Sequence, residues 1–266
     1  SLREVARQSR DGRSSMQNFL LTLAYDGTNY CGFQVQPNGR SVAQTFQDAL
    51  QAVLGSRPDI KGCSRTDAGV HARLMVAHAD IPYSLDDAGE WVHKLNRVLP
   101  PDIVIYRIRP VKPDAHSRFD ALSRTYRYYI SYEKNPFEGK YRWTMAGKTL
   151  NIDRMNEAAG YLLQYTDFTS FSKLHTDVKT NNCRITHAVW TPTGNDLVFE
   201  ITADRFLRNM VRAIVGTLVE VGRGKLSIKD FRSVIEARDR CKAGTSAPGN
   251  ALFLTGITYP EELFLR

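Results

Sequence analysis

The order of elements along this chain repeats, and the repeat constrains the fold more than any other feature. Residues 18–25 are rich in β-favouring side chains and run into an Asp26-Gly27 turn signal, which reads as a strand. Ser41 with Gln44 three residues on has the form of a capping box. Val42, Phe46, Ala49, Leu50 and Val53 supply one apolar helical face behind it, and Gly55 ends the helix. A short strand then leads to a loop at Asp67, and a second strand is expected over 74–81. A helix over 85–98 carries Leu85, Trp91, Val92 and Leu95 until Pro100-Pro101 stops it. A last strand runs from Asp102 to Arg109. The order β-α-β-β-α-β is that of a ferredoxin-like unit.

After a linker from Pro110 to Pro113 the order recurs. It comprises a strand over 123–132, a helix over 151–164 opened by Asn151, and a strand pair, 183–192 and 196–203, around Thr193-Gly194. A long helix over 205–221, an added helix over 227–238 opened by Ser227, and a closing strand over 252–258 complete it. The expected fold class is α+β. Two ferredoxin-like halves, 18–110 and 111–266, lie side by side in one continuous, mainly antiparallel sheet. Helices cover one face, and a central cleft for a large ligand is expected on the other. Residues 1–17 carry Arg3, Arg7, Arg10 and Arg13 without the apolar stretch of a secretory signal, and read as a flexible basic leader, an early start or an expression remnant.

Composition narrows the partner. An apolar fraction of 42% in 266 residues argues for a real core, and a net charge of +8 favours a polyanion, nucleic acid first. The four cysteines, Cys31, Cys63, Cys183 and Cys241, lack the spacing of a zinc site or a disulfide framework, which fits a reduced, cytoplasmic setting. No run of about 18 apolar residues offers a membrane span. Neither a Rossmann glycine pattern nor a phosphate loop is present.

Chemistry concentrates in Arg65-Thr66-Asp67-Ala68-Gly69-Val70-His71-Ala72. An acid and an arginine two positions apart in a glycine-punctuated loop serve no packing purpose. A nearby guanidinium favours the charged carboxylate, which can act as nucleophile or base without a metal. Asp67 thus reads as nucleophile, general base or a turn residue bonding its own backbone. Arg65 could hold a phosphate, push into the stack left by an extruded base, or lie solvated. Tyr126, Tyr128, Ile130 and Tyr132 share one strand face, more often core than platform. On the 205–221 helix, Arg205, Arg208 and Arg212 fall at i, i+3 and i+7 and form one stripe, usually a solvated side.

With Cys63-Ser64 before it, the octapeptide resembles the signature loop of the tRNA pseudouridine synthases of the TruA family. Tyr25 to Gln34, Ser123 to Tyr128, Asp167 to Phe171 and Phe206 to Gly216 are similar to further stretches of that family, in its order. The resemblance implies isomerisation of uridine to pseudouridine at tRNA positions 38 to 40, on the anticodon arm, by a homodimer that needs no cofactor or metal. It implies that Asp67 is the nucleophile, that Tyr126 lies against the target uracil, that Arg212 pairs with Asp67 across the cleft, and that Leu252 touches the base. Two departures stand out. Ser64 occupies a position where the family usually has glycine, which bears on the backbone path there, and Ala251 replaces another glycine.

Three rivals from other classes remain at this stage. A non-catalytic RNA-binding module would use the same charge and aromatics, but has no need of a carboxylate facing phosphates. A base deaminase needs zinc ligands that are missing. An N-glycosidase would also break the N1–C1′ bond, releasing uracil.

Overall fold

The computed structural model describes residues 16–81, 88–173 and 179–265. The basic leader up to residue 15 and Leu85, at the start of the expected second helix, lie outside those residues.

Alternation and caps produce the elements where the sequence places them. Gln17–Tyr25 is β1. Val42–Leu54 is α1, with the Ser41 hydroxyl accepting from the Gln44 N–H and Gly55 closing it in the left-handed region. Lys61–Gly62 (β2), His71–Ile81 (β3), Ala88–Val98 (α2) and Ile103–Pro110 (β4) follow. Next come Ser123–Ser131 (β5), Trp143–Thr144 (β6) and Ile152–Tyr161 (α3), the last capped by Asn151. Ile185–Thr193 (β7) and Asp196–Ala203 (β8) form the hairpin. Met210–Gly222 (α4), Ile228–Ala237 (α5) and Leu252–Thr258 (β9) complete the order.

These strands make one mixed sheet in the order β4-β1-β3-β9-β5-β8-β7, with β2 on β3 and β6 on β5. All pairs are antiparallel except β3–β9 and β5–β6. The seam is brief: His71 faces Phe253 and Ala72 faces Leu254. At its other end β3 carries β2, through Lys61 with His78 and Gly62 with Ala77. One edge of β3 therefore serves two partners, and β2 must be short so that β9 can join. This seam positions the site, because the loop holding Asp67 runs straight into it.

The long helix starts five residues later than expected. Asn209 has φ 67°, a left-handed conformation that asparagine tolerates better than most residues, and helical geometry begins only after it. Residues 205–209 form a loop, so Arg205, Arg208 and Arg212 are not one helical stripe.

The cleft also differs from expectation. Tyr126 lies opposite Ile201 and Leu254, and Tyr128 opposite Phe199 and Leu252, so these side chains share a sheet face. The Tyr128 hydroxyl donates to the Pro248 carbonyl, and neighbouring Ala247 is bonded to Arg212 of α4. The pocket lined by Tyr126 and Leu252 thus opens on the α4 face, not on the opposite one.

The linker after β4 is a rigid turn. Asn18 donates to the Lys112 and Ala115 carbonyls, and the buried Ser117 hydroxyl donates to the Lys61 carbonyl. His78 Nδ1 accepts from the Ser117 N–H, His116 Nδ1 from those of Arg118 and Phe119, and His71 Nδ1 from that of Gly27. A proton on any of these nitrogens would set N–H against N–H. Burial, the first cause in each, holds all three below the ordinary histidine range, His78 at about 4. Unfolded histidines titrate near 6.5, so below that pH the unfolded chain takes up more protons than the folded one. Their stabilisation is complete above about pH 6.5 and is lost as pH falls towards 4. A Tm about 3 °C or more lower at pH 5 than at pH 7.5 is expected by calorimetry; an unchanged Tm would contradict this account.

Among the described residues, no helix is long and apolar enough to cross a membrane. All four cysteines are free.

Candidate active site

The loop from Ser64 to Val70 is built by close packing against residues 26–34. A Cβ on Gly27 would sit 1.9 Å from the Val70 carbonyl oxygen, and one on Gly32, at φ 81°, would sit 2.3 Å from that of Thr66. Only glycine permits both approaches. The Gly69 N–H donates to the Tyr30 carbonyl at 3.2 Å, and the Thr66 and Tyr25 hydroxyls pair at 2.8 Å. His71 completes the clamp. Its Nδ1 accepts from the Gly27 N–H and its Nε2 lies 2.9 Å from the Asn250 carbonyl oxygen, so Nε2 must carry the proton. The ring is neutral, and the approach of Asp26 to Nδ1 at 3.2 Å is not an ion pair. Thr66 and His71 shape the loop.

Asp67 does not pair with Arg65. Its Oδ2 accepts from an Arg212 Nη at 2.9 Å, with both side chains 24% exposed. Arg212 Nε donates to the Ala247 carbonyl at 2.8 Å, so the guanidinium is held at two points. Asp67 Oδ1 has no hydrogen-bond partner among the described residues and stays available to a ligand. Arg65 is exposed on the pocket rim.

Tyr126 is 4% exposed, its ring edge-on to Phe206 at 5.1 Å. Its hydroxyl lies 2.7 Å from that of Ser64. Burial, followed by smaller effects, pushes the phenol far above its ordinary range, so the hydroxyl keeps its proton at neutral pH. Ser64 has no positive φ, so the backbone there has no need of glycine. Leu252 is buried beside this ring on the pocket wall. Ala251 lies in a tight turn, Gly249–Ala251, again without positive φ.

The cavity measures about 400 Å³, within the usual range for a small-molecule site. Among the described residues six arginines line it, Arg65, Arg118, Arg124, Arg205, Arg208 and Arg212, against one carboxylate, Asp67. Burial and the charges of Arg65, Arg124 and Arg205 pull the Arg118 guanidinium below its ordinary range. Such crowding leaves positive potential for an anion to neutralise.

Sequence reasoning overlooked Arg118 and Arg124. Arg124 is 6% exposed and donates to the carbonyls of Cys63 at 3.0 Å, Arg118 at 2.6 Å and Asp204 at 2.6 Å. One side chain thereby ties together the three segments that wall the pocket. An arginine in a strand whose alternate neighbours Tyr126 and Tyr128 are inward-facing was the available signal. Among the described residues, no group of three or more His, Cys, Asp or Glu side chains could hold a metal ion.

The sequence profile of a family described as tRNA pseudouridine synthase matches residues 22–120 and 158–260. The chain is 61% identical over 252 residues to "tRNA pseudouridine synthase A" of Bacteroides thetaiotaomicron, covering 94% of this chain and 93% of that one. It is 57% identical to the protein of that name from Parabacteroides distasonis, over 94% of this chain and 98% of that one. With the one from Bacillus subtilis the identity is 40%, over 90% and 97%.

Proposed function

The chain belongs to the tRNA pseudouridine synthase A (TruA) family and is therefore an isomerase, and we propose that Asp67 carries its chemistry on uridines 38 to 40 of the tRNA anticodon arm. One observation supports this reading above the rest. Among the described residues, Asp67 has one carboxylate oxygen held by Arg212 and the other free, in a pocket whose other charged side chains are all arginines.

Pseudouridine formation breaks the bond from uracil N1 to ribose C1′ and joins C5 to C1′; a proton leaves C5 and N1 gains one. No electrons enter or leave, so neither redox cofactor nor activated donor is needed. The target nucleotide must leave its stack, at a cost of a few kcal/mol. Guanidiniums around the cavity offset that cost by taking the flanking phosphates. Tyr126 and Leu252 supply apolar surface for the uracil. The free oxygen of Asp67 then acts at the glycosidic bond, by attack at C6 or C1′ or by assisting elimination. Arg212 keeps that oxygen's partner fixed, which limits the carboxylate to one orientation. The Tyr126 hydroxyl, paired with that of Ser64, is placed to assist proton movement. Among the described residues Asp67 is the one carboxylate on the pocket wall, which places it to take the C5 proton, directly or through a hydroxyl or water.

The chain reads as two halves, 18–110 and 111–266, and the strand orders β4-β1-β3-β2 and β9-β5-β8-β7 support a ferredoxin-like reading of each. A homodimer in the cytoplasm completes the reading.

The test is tritium release. tRNA transcript labelled at uracil C5 should lose label to water on incubation with the protein, with no free uracil and no abasic site. Free uracil without C5 exchange would establish a glycosidase instead. Tight binding with neither product would establish a binding module.

A further inference from the structure

The turn at 116–119 presents a second feature that the reaction itself does not use. Three rings meet in series: His78 lies 4.3 Å from His116, tilted by 56°, and His116 stacks on Phe119 at 4.1 Å with an interplanar angle of 25°. The outermost ring, Phe119, is 77% exposed. A large apolar side chain so exposed has no share in the core. Yet it is held in place, because its own N–H and that of Arg118 both donate to His116 Nδ1, and the His116 N–H donates to Asp120. The turn is fixed to the pocket as well, through Arg124 to the Arg118 carbonyl and Tyr259 to that of Ser117. Arg118 lies 5.9 Å from the Phe119 ring and lines the cavity containing Asp67.

We propose that Phe119, backed by His116, is a preformed stacking platform for an RNA base next to the nucleotide that enters the Asp67 pocket. This rests on the reading of that pocket as an RNA site. An aromatic face accepts any base, and stacking on one contributes measurably to single-strand binding. The platform is already ordered, so little entropy is lost when a base settles on it. Arg118, between platform and pocket, has no acidic partner among the described residues and is placed for the phosphate joining the two nucleotides. Charge argues against a second copy of the chain as occupant. A self-complementary contact here would bring Arg65 and Arg118 of two chains together without compensation.

Filter binding of tRNA transcript to the full chain and to Phe119→Ala, Phe119→Leu and Phe119→Trp tests this. Phe119→Ala and Phe119→Leu should each raise Kd about tenfold or more, and KM for tritium release more than they lower kcat. Phe119→Trp should bind at least as tightly as the parent, and Tm should stay within about 2 °C in all three, since the ring is outside the core. Leu keeps an apolar side chain but lacks the π-face, so it separates stacking from apolar contact. The proposal is overturned if Ala and Leu bind within twofold of the parent, if Trp is as weak as Ala, or if the loss of RNA affinity accompanies a fall in hydrodynamic mass. A parent that releases no tritium overturns the reading of the pocket; an active parent with an indifferent Phe119 overturns the platform alone.

Discussion

Asp67→Asn is expected to bind tRNA and to release tritium at least about a thousandfold more slowly than the parent, if at all. The substitution preserves the shape of the side chain and leaves a carbonyl oxygen to accept from Arg212 at the 2.9 Å position. It removes the negative charge and with it the nucleophile or base. Because the pair is 24% exposed on both sides, water can solvate the Arg212 guanidinium left without a counter-charge, and the fold should persist. The variant therefore separates chemistry from binding. Arg212→Lys is the companion: it keeps a cation but loses the fork that reaches Asp67 and the Ala247 carbonyl together. A fall in kcat with near-normal tRNA affinity is expected. Turnover by Asp67→Asn at more than about a tenth of the parent rate, measured under single-turnover conditions, would refute a role for this carboxylate in the chemistry.

The largest effect on stability is expected at Arg124. Its guanidinium meets three carbonyls from three segments, those of Cys63, Arg118 and Asp204. Arg124→Met retains much of the apolar stem and removes every donor. Buried acceptors stripped of a donor cost about 1–3 kcal/mol each, and partial rehydration from the pocket lowers the sum. A loss of about 3–5 kcal/mol is expected by urea denaturation, with tRNA affinity falling too because the pocket wall loosens. Arg124→Lys should recover part of it, since an ammonium cannot span all three oxygens at once. A loss below about 1 kcal/mol for Arg124→Met would show that backbone packing holds the segments without the arginine.

Much of the secondary structure was legible. Ser41, Asn151 and Ser227 mark helix starts because a side-chain oxygen accepting a backbone N–H is a local event, readable from neighbours. The strand faces were legible for the same reason, since period two is a property of the chain itself. The start of α4 was not. Residues 205–209 have the apolar spacing of a helix, and only the left-handed backbone at Asn209 separates them from it. That conformation places Phe206 against Tyr126 and brings Arg205 and Arg208 to the cavity, a tertiary requirement that overrode local preference.

The site divides along the same line. Sequence alone singled out the loop from Arg65 to Ala72 and, through its resemblance to a known family, Tyr126, Arg212 and Leu252. The residues alone set the acid beside Arg65, its neighbour, and only the resemblance implied Arg212. Tertiary structure makes Arg212, 145 positions away, the partner, with the loop of the acid held at a seam only two residue pairs long between β3 and β9. It also revealed the Arg124 bonds, the Ser64–Tyr126 contact, the exposed ring of Phe119 and the face on which the pocket opens. The physical reason is range. Caps, turns and periodicity are set by residues within a turn or two of one another, and so are written in order along the chain. Which charge meets which carboxylate depends on how distant strands are paired, and that is settled only when the last strand, β9, enters the middle of the sheet.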